Sequence, residues 1–181
     1  MRVSGGELRS RVIPAPPGDA TRPTPGRVKE ALFSMLGEAI GGARVLDLYA
    51  GTGAIGLEAL SRGAKHATFV ELHAPTAQRL RDTIASFGVG ARASVVCAPA
   101  ERAATRLSGR FDFVYADPPF ALPPPHLTFG NLRTRGAIDA ETTLVYERRE
   151  RAMPFALPGF RTVRDARYGE VMLQFLRVET S

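Results

Sequence analysis

The sequence predicts an α/β domain built on a mostly parallel sheet. Three observations carry that expectation. Short apolar, β-branched runs alternate with stretches of helical period, the pattern of right-handed crossovers in a sheet covered on both faces. A glycine-rich turn, Gly51-Thr52-Gly53-Ala54-Ile55-Gly56, links the first main strand to a helix. Only Arg167-Tyr168-Gly169-Glu170 separates the last two strand runs, too few residues for a crossover, so that pair is antiparallel.

Taken in order, residues 1–13 suggest two short strands around Gly5-Gly6, a hairpin decorated by Arg2, Arg9 and Arg11. The stretch PAPPGDATRP is too rich in proline and glycine for regular structure, and residues 1–20 read as a basic hairpin arm with its linker. The main domain then runs over 21–181. Thr24-Pro25 is a helix start, with Thr24 as N-cap. Val28, Ala31, Leu32, Met35, Leu36, Ala39 and Ile40 follow at helical spacing, and Gly41-Gly42 ends the helix. Strands are expected at 44–50, 66–72, 93–98, 111–116, 142–148, 160–166 and 171–178. Helices are expected at 54–62, 75–87, 101–107 and 127–135.

Composition bounds the rest. The 181 residues suit one domain, with 44% hydrophobic and 23% charged residues. Cys97 is the single cysteine, so no intramolecular disulfide or cysteine metal cluster is expected, and a reducing, cytoplasmic setting fits. Cys97 itself reads as a core residue. The N-terminus has no apolar signal region, and no run approaches the roughly 20 residues of a membrane span. Net charge is +6, and Lys29 and Lys65 are the only lysines. An arginine excess has two readings, codon bias and a polyanionic partner.

The glycine turn fits G-x-G-x-x-G, with an acid, Glu71, ending the next strand. That acid could hold both hydroxyls of a ribose, so a nucleoside cofactor is expected. Asp47, just before the glycines, would repel the pyrophosphate of a dinucleotide. It suits the sulfonium and ammonium groups of S-adenosylmethionine instead.

The strand at 111–116 runs into Asp117-Pro118-Pro119-Phe120. Two prolines end any strand, because each lacks a ladder N–H. On the cofactor's sheet edge, this loop suits an exocyclic amine. Asp117 and the Pro118 carbonyl would accept its two N–H groups, and Phe120 would stack on its ring. Methylation at carbon would call for a nucleophilic cysteine, and Cys97 lies on another strand.

With those residues in place, VLDLYAGTGAIG, LEALSRGA, FVE and ADPPF resemble the class I S-adenosylmethionine-dependent amino-methyltransferases. TRPTPGRVKEALFSML and RYGEVML narrow the resemblance to the bacterial enzymes that methylate N2 of a guanine in 16S rRNA. The resemblance implies a Rossmann-like methyltransferase fold, S-adenosyl-L-methionine as cofactor with S-adenosyl-L-homocysteine as product, and no metal. It implies 16S rRNA as substrate, in the assembling small subunit, for a monomer. By the same resemblance Asp47, Ala50, Gly51 and Gly53 line the methionine part and Glu71 binds ribose. Asp117, Pro118, Pro119 and Phe120 hold the guanine amine. Arg22, Pro23 and Thr24 fold over the cofactor, and Arg2, Arg9 and Arg11 touch RNA. Two departures stand out. Ala98-Pro99-Ala100 offers no Asp or Asn to adenine, and Glu101 there reads as a first-turn helix acid. Leu122-Pro123-Pro124-Pro125 makes the loop after Phe120 unusually proline-rich. Rival readings are an N6-adenine DNA methyltransferase, which lacks a visible DNA-recognition segment, an NAD oxidoreductase, and a non-catalytic RNA-binding module.

Overall fold

A computed structural model describes residues 1–14, 26–119 and 121–180. Seven strands form one sheet in the order β3-β2-β1-β4-β5-β7-β6. They are β1 (Arg44–Leu48), β2 (His66–Glu71), β3 (Ala93–Cys97), β4 (Phe113–Ala116), β5 (Thr143–Arg149), β6 (Phe160–Tyr168) and β7 (Val171–Val178). Strands β1 to β5 pair in parallel, whereas β7 runs antiparallel between β5 and β6. The seven expected strands and the antiparallel end are therefore present, with no boundary moved by more than two residues.

Helices α1 (Gly26–Leu36), α2 (Ala54–Ser61), α3 (Ala74–Ser86), α4 (Ala100–Ala104) and α5 (His126–Thr134) cover the sheet. The helix expected up to Gly41 tightens into a 3₁₀ turn over Gly37–Ile40. Its expected start at Thr24-Pro25 lies outside the described residues. One core layer joins α1, α2 and α3 to Val45, Phe69, Tyr115 and Val145. The other joins α4 and α5 to Leu46, Val114, Leu144 and Leu176. Each central strand thus buries alternate residues on opposite faces, which explains the near-continuous apolar runs.

Two expectations need correction. Among its described residues the arm holds a single antiparallel bridge, Arg2 to Val12, rather than two strands. Its hydrogen bonds Val3 N–H to Arg11 O and Ile13 N–H to Met1 O do pair the two segments. The reversal spreads over residues 5–10 instead of turning at Gly5-Gly6. Val3, Leu8 and Ile13 sink into the first core layer, so the arm is anchored by burial more than by a ladder. Cys97, expected in the core, is exposed, because β3 is an edge strand. At the opposite edge β6 carries exposed Arg161, Arg164 and Arg167, charges of the kind that discourage edge-to-edge pairing. Among the described residues no helix is long and apolar enough to cross a membrane.

Candidate active site

Strands β1, β4 and β5 are neighbours, and their carboxyl ends share one edge. Strand β1 delivers Asp47, and the chain then turns through Tyr49, a non-glycine residue at φ +59°. The glycine loop follows. Gly51 and Gly53 both have positive φ, and Gly53 N–H bonds the Ala50 carbonyl at 2.7 Å. A side chain at Gly56 would put its Cβ 2.2 Å from Phe69 Cε1, so this glycine lets α2 lie close on β2.

Glu71 ends β2 as expected. Its two oxygens accept the N–H groups of Gly51 and His73, each at 2.8 Å. A carboxylate oxygen accepts more than one donor, so both retain capacity for ribose hydroxyls. Asp47 is only 2% exposed and accepts the N–H of Gly56 at 2.9 Å. It is not a solvated strand-end acid. Burial pushes its carboxyl up to about 8, the Gly56 bond opposing this and the charge of Glu71 adding to it.

Half-buried Asp117 follows the last residue of strand β4, and no described residue donates a hydrogen bond to its carboxylate. Burial raises it well above the usual carboxylate range, and the charges of Glu147 and Asp47 push the same way. Pro118 is buried and Pro119 exposed. The Pro119 carbonyl accepts the N–H of Leu122 at 2.8 Å, while that of Pro118 accepts none among the described residues. One loop therefore presents two unused acceptors, the Asp117 carboxylate and the Pro118 carbonyl. Phe120 lies outside the described residues, as do Arg22, Pro23 and Thr24.

The site holds two groups that sequence reasoning missed, Glu147 and Tyr115. Glu147 on β5 is 6% exposed and accepts a hydrogen bond from the Tyr115 hydroxyl. In the sequence Glu147 is only an acid inside the strand run TTLVYER, and nothing local pairs it with Asp117. The stretch Ala98-Pro99-Ala100 carries no polar side chain. Glu101 is a first-turn acid of α4, as expected, and with Leu122, Pro123, Pro124, Pro125, His126 and Leu127 it lines an open depression. Cys97 pairs in register with Glu71 at this edge, and its thiol donates to Leu72 O at 3.6 Å.

The arm lies elsewhere. Helices α2 and α3 return antiparallel to the strands before them, so their last turns sit at the opposite sheet edge. There Arg11 donates to Ser86 O at 2.6 Å and stacks 4.7 Å from the Phe87 ring centroid. Glu7 N–H bonds Ser61 O at the end of α2, and Arg2 donates to Ser10 O within the arm. Arg9 is exposed. These arginines stand away from Asp117 by about the length of β1, on the order of 15 Å.

Comparison with known proteins decides the lineage. The model of the family described as conserved hypothetical protein 95 matches residues 1–177. Ribosomal RNA small subunit methyltransferase D of Escherichia coli (strain K12) is 37% identical over 146 residues, covering 81% of this chain and 73% of that protein. The chain belongs to this family. The methyltransferase D of Haemophilus influenzae is 35% identical over 66% of the chain and 64% of its own length. A chain solved from Escherichia coli superposes with a TM-score of 0.86 at 32% identity, over 100% of this chain and 99% of that one. A Thermus thermophilus protein gives 0.80 at 30% identity, over 98% and 99%. As a methyltransferase D family member, the chain keeps the class I sheet order with its antiparallel end strands.

Proposed function

We propose that this protein transfers a methyl group to the exocyclic N2 of a guanine in 16S rRNA of the small ribosomal subunit. The relatives named as small-subunit rRNA methyltransferases support the reaction and substrate class. The single observation that carries the acceptor is the paired, unused Asp117 carboxylate and Pro118 carbonyl. Two acceptors on one rigid turn match the two N–H groups of an amine. Holding both leaves the nitrogen lone pair directed away from the ring plane, toward the donor.

The cofactor is S-adenosylmethionine, and the residues present fit it. Asp47, Asp117 and Glu147 form no ion pair with a described lysine or arginine, so this edge suits a cation. Glu71, fixed by two backbone N–H groups, is ready for a ribose. When bound, the cofactor supplies a methyl group on a sulfonium. Ala50, Gly51 and Gly53 give its methionine part backbone contact, and Asp47 attracts its positive groups. Asp117 orients the amine, and Phe120 stacks on the guanine. Arg22 and Thr24 cover the cofactor, and Arg2, Arg9 and Arg11 meet phosphates away from the target base. The arm at 1–20 is thus an accessory to the domain at 21–181. The protein works in the cytoplasm as a single copy, on rRNA in the assembling subunit.

The test supplies labelled S-adenosylmethionine with 16S rRNA, immature small subunits and DNA in separate reactions, followed by nucleoside analysis. Label in N2-methylguanosine is expected from rRNA or subunits. Label only in DNA, in another nucleoside, or nowhere overturns the proposal.

A further inference from the structure

Three acids set in the first core layer line up across adjacent strands. Asp47 stands opposite Tyr115 in the β1–β4 register. Ala116 stands opposite Tyr146 between β4 and β5, so the next step brings Asp117 beside Glu147. Alternation puts Tyr115, Asp117 and Glu147 on the same face. Glu147 is more than nine-tenths buried, yet only one of its oxygens has a hydrogen-bond partner among the described residues, the Tyr115 hydroxyl. Asp117 has none. Two neighbouring carboxylates with spare acceptor capacity, one buried and one half-buried, cannot both ionise cheaply.

We infer that Glu147 is a positioning residue of the reaction centre, sharing one proton with Asp117 and releasing it when the cofactor's sulfonium charge arrives beside the pair. This rests on the S-adenosylmethionine reading of the site. Methylation of an amine breaks the S–CH₃ bond, whose electron pair stays on sulfur, and forms N–CH₃ from the nitrogen lone pair. One proton must then leave nitrogen. Asp117 accepts it, and Glu147 spreads the load, so the pair returns to its one-proton state as the cationic sulfur becomes neutral.

The surroundings agree. Burial carries Glu147 up to about 7, with the Tyr115 bond opposing the rise. Among the described residues, register and alternation put Tyr115 and Asp117 from β4, Asp47 beyond them on β1, and Arg149 two positions along its own strand on the face of Glu147. Strand β7 offers only Leu173 in register. Buried Lys29 of α1 is held by Glu58.

The test is calorimetric binding of S-adenosylmethionine and of S-adenosylhomocysteine near pH 7, in buffers of different ionisation enthalpy. Both ligands carry the same ammonium group, so their difference isolates the sulfonium. S-adenosylmethionine should release about one more proton than S-adenosylhomocysteine, and its affinity should climb with pH by up to about tenfold per unit. Glu147→Gln should bind both ligands with that difference lost. Tyr115→Phe should keep the difference with its midpoint at higher pH, a readout that remains should Glu147→Gln fail to fold. Equal proton counts in the wild type overturn the inference. So does a difference that survives Glu147→Gln and vanishes in Asp47→Asn. Binding of neither ligand overturns both this inference and the cofactor reading. The measurement contains no RNA, so a failure to methylate guanine leaves it standing.

Discussion

Glu58 and the Asp47–Asp117–Glu147 row are carboxylates of the same core layer, kept in opposite ways. Glu58 is 0% exposed and saturated with donors. Ser4 N–H and hydroxyl, Gly5 N–H and Arg62 Nε reach it at 2.8–2.9 Å, and buried Lys29 adds an ion pair. Burial would raise its carboxyl, but the Lys29 and Ser4 hydrogen bonds, the Lys29 charge and the Arg62 bond together hold it below the usual range. The three acids at the sheet edge have one described donor or none each, and all are raised. A saturated buried acid fastens the arm, α1 and α2 together. An unsaturated one retains capacity for something that arrives later.

The largest effect should come from breaking the saturated acid. Glu58→Ala strands Lys29 in the core without a counter-charge, and loss of one buried partner removes about 3–5 kcal/mol. Urea unfolding measures it, and a loss below about 1 kcal/mol would show that Lys29 relaxes to water. Asp117→Ala should do the reverse. It removes an unpartnered acid, so stability holds and cofactor binding remains. Turnover should fall about 10²–10³-fold, the scale for losing one oriented polar contact at a reacting centre. Normal turnover would take Asp117 out of the mechanism.

The same contrast explains what is legible in the sequence. The glycine loop and the Asp117-Pro118-Pro119 turn are local, because backbone geometry demands those residue types, and so their place at the sheet edge can be read directly. Seven strands follow from periodicity. The Glu58 network cannot be read. Ser4, Lys29 and Glu58 lie far apart in sequence and meet only through packing. Glu147 needs the β4–β5 register, which no single strand carries. The arm departs from expectation for a related reason. Two glycines suggest a tight turn, but Leu8 and Val3 have core positions to fill, and the loop widens to reach them. Cys97 reads as core because its strand is apolar, while its place at the sheet edge depends on strand order.

A smaller effect tests the close packing between the two regions. Gly56 donates to Asp47 and abuts Phe69, and it lies on the same helix as Glu58. Gly56→Ala should cost about 1–3 kcal/mol as Phe69 is displaced. Thermal unfolding reads it, and Phe69→Leu in the same chain should recover part of the loss. A neutral Gly56→Ala would mean the helix shifts freely on β2, and the glycine loop would then need another reason for its third glycine.

The smallest effect separates the two regions by the sign of their pH dependence. Glu58 is held below its unfolded value, so its contribution is present above about pH 4.5 and disappears as pH falls. Asp47 is raised from 3.8 to about 8. The folded chain keeps a proton there that the unfolded chain has already released. Its contribution is full below pH 3.8 and is lost as pH rises toward 8, so the cofactor-free protein should weaken along that limb. Asp47→Asn removes the titration and keeps an oxygen for Gly56 N–H. At about pH 8 the variant should be more stable than wild type by about 1–2 kcal/mol, the usual gain from relieving a functional group, and near pH 4 the two should unfold alike. It should also bind S-adenosylmethionine more weakly, since the charge that strains the empty site is the one that attracts the cofactor. Equal stability at the alkaline end would mean that Asp47 ionises there without penalty, and its likeness to Glu58 would then be closer than its missing donors suggest.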